Sequence, residues 1–142
     1  MDQTGMKNTI TILVVDDEQM MRDLLTKILS RDGYRILTAE DGQAALEMLD
    51  QHQIDLIISD MKMPRLNGFE LLKIVKKDYP TIGMIMMTAY GDTYTVKDAL
   101  LLGADEYLTK PFKSFEVSLI VERAYWRILS ASGRSIDAEL QE

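Results

Sequence analysis

Five polar residues stand where short extended runs break off. Asp16 and Asp17 follow Ile10–Val15, Asp60 follows Ile54–Ser59, Thr88 follows Ile82–Met87, and Lys110 follows Glu106–Thr109. Three carboxylates, a hydroxyl and an amine define a narrow chemistry if they meet. Crowded carboxylates repel one another, so a common site needs cations. Lys110 supplies one positive charge, and a divalent metal would supply two more. Oxygen donors without His or Cys favour Mg²⁺ or Mn²⁺ over zinc, and Mg²⁺ typically keeps waters and takes a phosphate oxygen. Together these groups form a phosphoryl site: metal and lysine neutralise oxygens on the transferring group while an aspartate oxygen attacks phosphorus. Asp60 stands alone at the end of an apolar strand, before a loop with Pro64 and Gly68, and is assigned as the phosphoacceptor. The adjacent pair Asp16 and Asp17 is better suited to holding metal.

Convergence of these residues depends on the elements between them. Ile10–Val15 is a β-branched run of the kind buried on both faces of a sheet. Met21, Leu24, Leu25 and Ile28 then recur at helical spacing until Asp32-Gly33. Tyr34–Thr38 reads as a second strand, and Asp41-Gly42 opens a helix with Ala45, Met48 and Leu49 that ends near His52. After the third strand, Asn67-Gly68 precedes a helix with Leu71, Leu72 and Val75, which Tyr79-Pro80 terminates. Val96, Ala99 and Leu100 mark a fourth helix closed by Gly103 as C-cap. Val117, Ile120, Val121, Ala124 and Ile128 mark the fifth. Strand and helix thus alternate five times, which implies an α/β fold: a parallel sheet with helices on both sides. In such a sheet all strand C-termini share one edge, where ligands bind. The topology brings the five residues together.

Composition bounds the rest. The chain has 142 residues, no cysteine and a net charge of −7. That excludes disulfide scaffolds, thiolate zinc sites and cysteine nucleophiles, and it suits a cytoplasmic setting. The acidic balance argues against direct binding of nucleic acid or anionic lipid. No apolar run approaches the length that spans a bilayer, and residues 1–8 lack the apolar centre of a signal peptide. Those residues are expected to form a flexible N-terminus, 9–129 the domain, and 130–142 a polar tail or truncated linker.

The segments Val14-Val15-Asp16-Asp17-Glu18, Asp60-Met61-Lys62-Met63-Pro64 with Asn67-Gly68, Thr88-Ala89-Tyr90 and Lys110-Pro111-Phe112 resemble the receiver domain of two-component response regulators. The resemblance covers about residues 9 to 129. It implies a flavodoxin-like, doubly wound (βα)5 sheet of strand order 2-1-3-4-5, and phosphoryl transfer from a sensor histidine kinase or phosphotransfer protein to Asp60. It further implies Mg²⁺ held by Asp17, Asp60 and the Lys62 carbonyl, with Asp16 acting mostly through water. Thr88 would bond a phosphoryl oxygen and Tyr107 would follow by turning inward, while Lys110 pairs with the phosphoryl group. The bond before Pro111 is expected to be cis. Regulation would repack the face of the fourth helix, fifth strand and fifth helix. Lys62 and Tyr90, both bulky, flank the approach of attacking water in this family and imply slow self-dephosphorylation.

Each residue alone has a plainer reading. An acidic pair before a helix often serves the helix dipole and caps. Thr88 could be a strand-end hydroxyl, Lys110 a solvated lysine and Tyr107 a half-buried strand aromatic. His52 reads as exposed near a helix end, so a donor histidine must come from another molecule. The methionines, Met84, Met86 and Met87 among them, read as core filling. Phe115, Leu119 and Trp126 form a second stripe on the fifth helix, and Leu101 and Leu102 exceed what the fourth helix needs to bury. Together they suggest a partner or homodimer surface. Two rival functions are weighed. A haloacid dehalogenase-like phosphatase needs Asp-x-Asp after strand one, where this chain has Asp16-Asp17-Glu18. A degenerate receiver that binds partners without phosphorylation would not need all five site residues. The chain is therefore expected to be a phosphoacceptor and not an enzyme.

Overall fold

The computed structural model describes residues 10–89 and 96–131. The expected flexible N-terminus, most of the polar tail and Tyr90 lie outside the described residues. Strands β1 (Thr11–Val15), β2 (Arg35–Ala39), β3 (Leu56–Asp60), β4 (Gly83–Ala89) and β5 (Glu106–Lys110) alternate with helices α1 (Gln19–Arg31), α2 (Gly42–Gln51), α3 (Gly68–Asp78), α4 (Val96–Leu101) and α5 (Ser114–Ala131). The strands form one parallel sheet, as the alternation predicts, in the order β2-β1-β3-β4-β5 that the resemblance implies.

Burial explains why the strands read as they do. Every residue of β1 and β3 is buried, which requires cover on both faces. On one face Ile12, Val14, Leu56, Ile58, Ile85, Met87 and Leu108 pack with Leu25 and Leu29 of α1 and Val117 and Val121 of α5. On the other, Leu13, Val15, Ile57, Met84 and Met86 pack with Ala45 of α2, Leu71 and Leu72 of α3 and Ala99 of α4. Each large aliphatic side chain so buried contributes about 1.5–3 kcal/mol. The edge strand β2 is buried only at Ala39.

Caps fix where the helices begin and end. Asp41 caps α2 by accepting from the Ala44 N–H at 2.8 Å. Asn67 and Glu70 close a reciprocal capping box at the start of α3. Gly103, at φ 99°, ends α4, with its N–H on the Leu100 carbonyl and that of Ala104 on the Ala99 carbonyl.

Several expectations shift. Strands three and four run to Asp60 and Ala89, so Asp60 and Thr88 belong to the strands and do not follow them. Tyr34 is buried but precedes β2. Leu24 and Leu100 follow helical spacing yet are exposed, because each is flanked by a residue, Leu25 or Ala99, that faces the sheet more squarely. Leu102 packs against the core and is not surplus. The last helix continues through Ser130 to Ala131, and the Ser130 hydroxyl donates to the Trp126 carbonyl.

Candidate functional site

Asp60 ends β3, and Asp16 and Asp17 follow β1 directly. Each offers one carboxylate oxygen, and these oxygens lie within 4.8 Å of one another. Lys110, the last residue of β5, sends its Nζ to Asp60 Oδ2 at 3.2 Å and to Asp16 Oδ2 at 3.4 Å. Asp16 is fully buried, Asp60 is 7 % exposed and Asp17 is open to solvent. The backbone sets this arrangement. The Arg22 guanidinium holds the Asp16 carbonyl at 2.7 Å, and the Glu18 N–H donates to Asp16 Oδ1 at 2.9 Å. The buried Ser59 hydroxyl donates to the Asp60 carbonyl at 2.9 Å.

Only one of these carboxylates bonds the start of the helix that follows: Asp16, through the Glu18 N–H. Glu18 is the N-cap of α1 yet makes no side-chain cap bond, and the first turn holds no acid. The N-cap side chain itself is therefore unused; Asp16 serves both ends of the turn, taking the Glu18 N–H on Oδ1 and Lys110 Nζ on Oδ2.

Electrostatics show a site short of positive charge. Burial raises the Asp60 carboxyl above its ordinary pKa and Asp16 adds to the rise. Lys110 and the Lys62 N–H, which bonds the carboxylate, oppose it without cancelling it. At Lys110, burial disfavours the charge, but Asp60 and Asp16 together outweigh it and its pKa is raised. One ammonium shared by two buried carboxylates, with a third acid alongside, leaves room for a divalent cation. Hard oxygen donors converging from the end of β3 and the turn after β1 are the kind that such a cation takes.

Thr88 is buried in β4, one residue beyond Met87, which pairs with Asp60 across the sheet. Thr109 is level with Thr88, and Lys110 with Ala89. Topology thus brings all five polar residues to one edge, as their places after the apolar runs predict. Tyr107 lies on β5 with its side chain 40 % exposed. The Lys110–Pro111 bond is cis. Lys62 has an exposed side chain, and His52, the only histidine, is exposed at the end of α2.

Some supporting residues escaped the sequence reading. Ser59 resembles any strand residue. Arg22 sits on a helix with no spacing that singles it out. Gly68 read as a turn residue, but its role is one of space: a Cβ there would overlap the Asp60 carbonyl oxygen.

A parallel five-stranded (βα)5 sheet with an acidic cluster and a lysine at its C-terminal edge defines a flavodoxin-like domain whose acids are able to coordinate a metal. The family model of the response regulator receiver domain matches residues 12–122. The chain is 38% identical over 113 residues to the DNA-binding transcriptional regulator NtrC of Proteus hauseri, covering 80% of this chain and 24% of that protein. It is 39% identical over 119 residues to the transcriptional regulatory protein CpxR of Escherichia coli K12, covering 81% of this chain and 50% of that one. The crystal structure of the receiver domain of NtrX from Brucella abortus superposes with a TM-score of 0.76 at 37% identity, over 80% of this chain and 96% of that one. The chain belongs to the receiver-domain family of two-component response regulators, the phosphoacceptor domains of that signalling system. It spans half or less of the length of these two regulators.

Proposed function

We propose that Asp60 is the phosphoacceptor, that its donor is a phosphohistidine on a sensor histidine kinase or phosphotransfer protein, and that the metal is Mg²⁺. The observation that carries this reading is the Asp60 carboxylate at the end of β3, 3.2 Å from Lys110 Nζ and inside the acidic cluster. An Asp60 carboxylate oxygen forms a bond to phosphorus as the bond from phosphorus to the donor imidazole nitrogen breaks. Protonated Lys110 faces the added oxygens and Asp16 holds Lys110 in place. Asp16, Asp17, Asp60 and the Lys62 carbonyl are the groups that would hold Mg²⁺, which when bound supplies positive charge to the phosphoryl oxygens. The Thr88 hydroxyl then donates to a phosphoryl oxygen and Tyr107 turns inward from its exposed position, favouring one of two existing conformations.

On this reading the chain is a switch and not a turnover enzyme, and it works in the cytoplasm. Among the described residues no helix is long and apolar enough to cross a membrane. Its output surface is the α4–β5–α5 face, where Leu101 is 74 % exposed and Phe115, Leu119 and Trp126 are also open to solvent. The face would meet a downstream protein, an attached output domain or a second copy.

Acetyl phosphate with Mg²⁺, followed by intact-mass measurement, tests the acceptor. The expected result is gain of one phosphoryl mass by the wild type and none by Asp60→Asn. No gain in the wild type would favour the phosphorylation-independent binding module. Sustained turnover of a generic phosphomonoester would instead indicate a phosphatase.

A further inference from the structure

We infer that Arg65 is a positioning residue whose ion pair with Asp41 holds the loop after β3 so that Lys62 is presented to the Asp60 carboxylate. The inference rests on the reading of Asp60 as acceptor and deepens it.

The loop of residues 61–67 is fastened on two sides. Against the sheet, the Met61 N–H donates to the Met87 carbonyl at 3.1 Å and the Gly68 N–H to the Met61 carbonyl at 3.0 Å. Between these bonds the Lys62 N–H reaches the Asp60 carboxylate. On the far side the loop is tied to the corner between β2 and α2. Arg65 Nε donates to Asp41 Oδ2 at 2.8 Å, with Glu40 Oε1 3.7 Å from Nη2. Beside it the Gly42 N–H donates to the Leu66 carbonyl at 3.0 Å, and a Cβ at Gly42 would overlap that carbonyl.

Two features mark the pair as more than a surface contact. Arg65 has φ 67°, a left-handed conformation that a residue with a Cβ adopts only when its surroundings enforce it. Asp41 is buried and its two oxygens have separate duties: Oδ1 caps α2 through the Ala44 N–H, and Oδ2 takes Arg65. Exposed ion pairs are usually weak. This one joins an exposed guanidinium to a fixed, buried acceptor, and what it secures is a backbone conformation. Released, Arg65 can leave the left-handed region, and the change in chain path falls three residues from Lys62.

The test compares Arg65→Ala, Arg65→Gly and Arg65→Lys with the wild type. Amide hydrogen exchange at Gly42 and Lys62 is measured in metal-free protein, and Mg²⁺ affinity by titration calorimetry. Glycine adopts positive φ freely, so Arg65→Gly removes the pair without straining the backbone. The expected result is faster exchange at both amides, and Mg²⁺ affinity about tenfold weaker, for the alanine and glycine variants. The glycine variant keeps or exceeds the wild-type melting temperature, and lysine restores part of both losses. Wild-type exchange and Mg²⁺ affinity in both truncated variants would overturn the inference. So would loss in alanine alone, since backbone strain would then account for it. A wild type that takes neither Mg²⁺ nor a phosphoryl group refutes the Asp60 reading, while the metal-free exchange comparison still decides the role of Arg65.

Discussion

At Asp60 two opposing effects meet. Burial and the nearby Asp16 disfavour the carboxylate, and Lys110 supports it, with a net rise in pKa. A carboxyl whose pKa is higher in the folded than in the unfolded chain lowers stability when ionised. That cost is fully present above the folded-state pKa and fades as pH falls through it toward the unfolded value. Asp60→Asn should therefore melt at a higher temperature than the wild type at neutral pH in metal-free buffer. The gap should narrow on acidification, and at neutral pH it should shrink when Mg²⁺ is added. Calorimetric scans across pH, with and without the metal, check each part; equal melting temperatures at neutral pH would show that Lys110 alone balances the site. The acids themselves were legible from sequence because a charge that ends an apolar strand needs a partner. The Arg65–Asp41 pair was not, since it depends on a loop path and on a φ value that no spacing encodes.

At the scale of elements, the connection from β3 to α3 is the tightest place in the site. Gly68 begins α3 where an added Cβ would overlap the Asp60 carbonyl oxygen, and Ser59 bonds the same oxygen. Gly68→Ala should either push α3 outward or tilt the end of β3. The expected cost is about 1–3 kcal/mol, as for other overpacked positions, measured by urea unfolding. Phosphorylation by acetyl phosphate should slow along with it, because the displaced atom belongs to the acceptor itself. A variant with wild-type stability would mean that the helix start has slack that the contact distances do not suggest. The order and type of all ten elements followed from periodicity. Their ends did not follow as well: β3 continues to Asp60 and β4 through Thr88 to Ala89, because a parallel neighbour continues to pair the backbone whatever the side chain. Leu24 and Leu100 misled for a different reason, as an apolar stripe can be wider than the helix face that a sheet covers.

For the whole molecule, the sheet divides labour between one end and one flank. Acids and lysine gather at the C-terminal edge, while most of the exposed large apolar side chains lie on α4, β5 and α5, with Met20 and Leu24 of α1 apart from them. If that flank joins two copies, light scattering should report a dimer at high concentration with a phosphoryl mimic bound; a monomer with and without the mimic would exclude self-association. On the same flank, buried Glu106 of β5 pairs with Arg123 at 2.5 Å and with Arg127 at 2.6 Å, so α5 is bound to the strand that also carries Tyr107 and Lys110. The chain's only tryptophan lies on this helix. Trp126 is 37 % exposed and meets Tyr125 edge-to-face at 5.5 Å, and Tyr125 in turn meets the buried Tyr34. The protein consequently carries its own optical gauge: emission from one indole, with no label attached, should move to the blue when anything covers that flank.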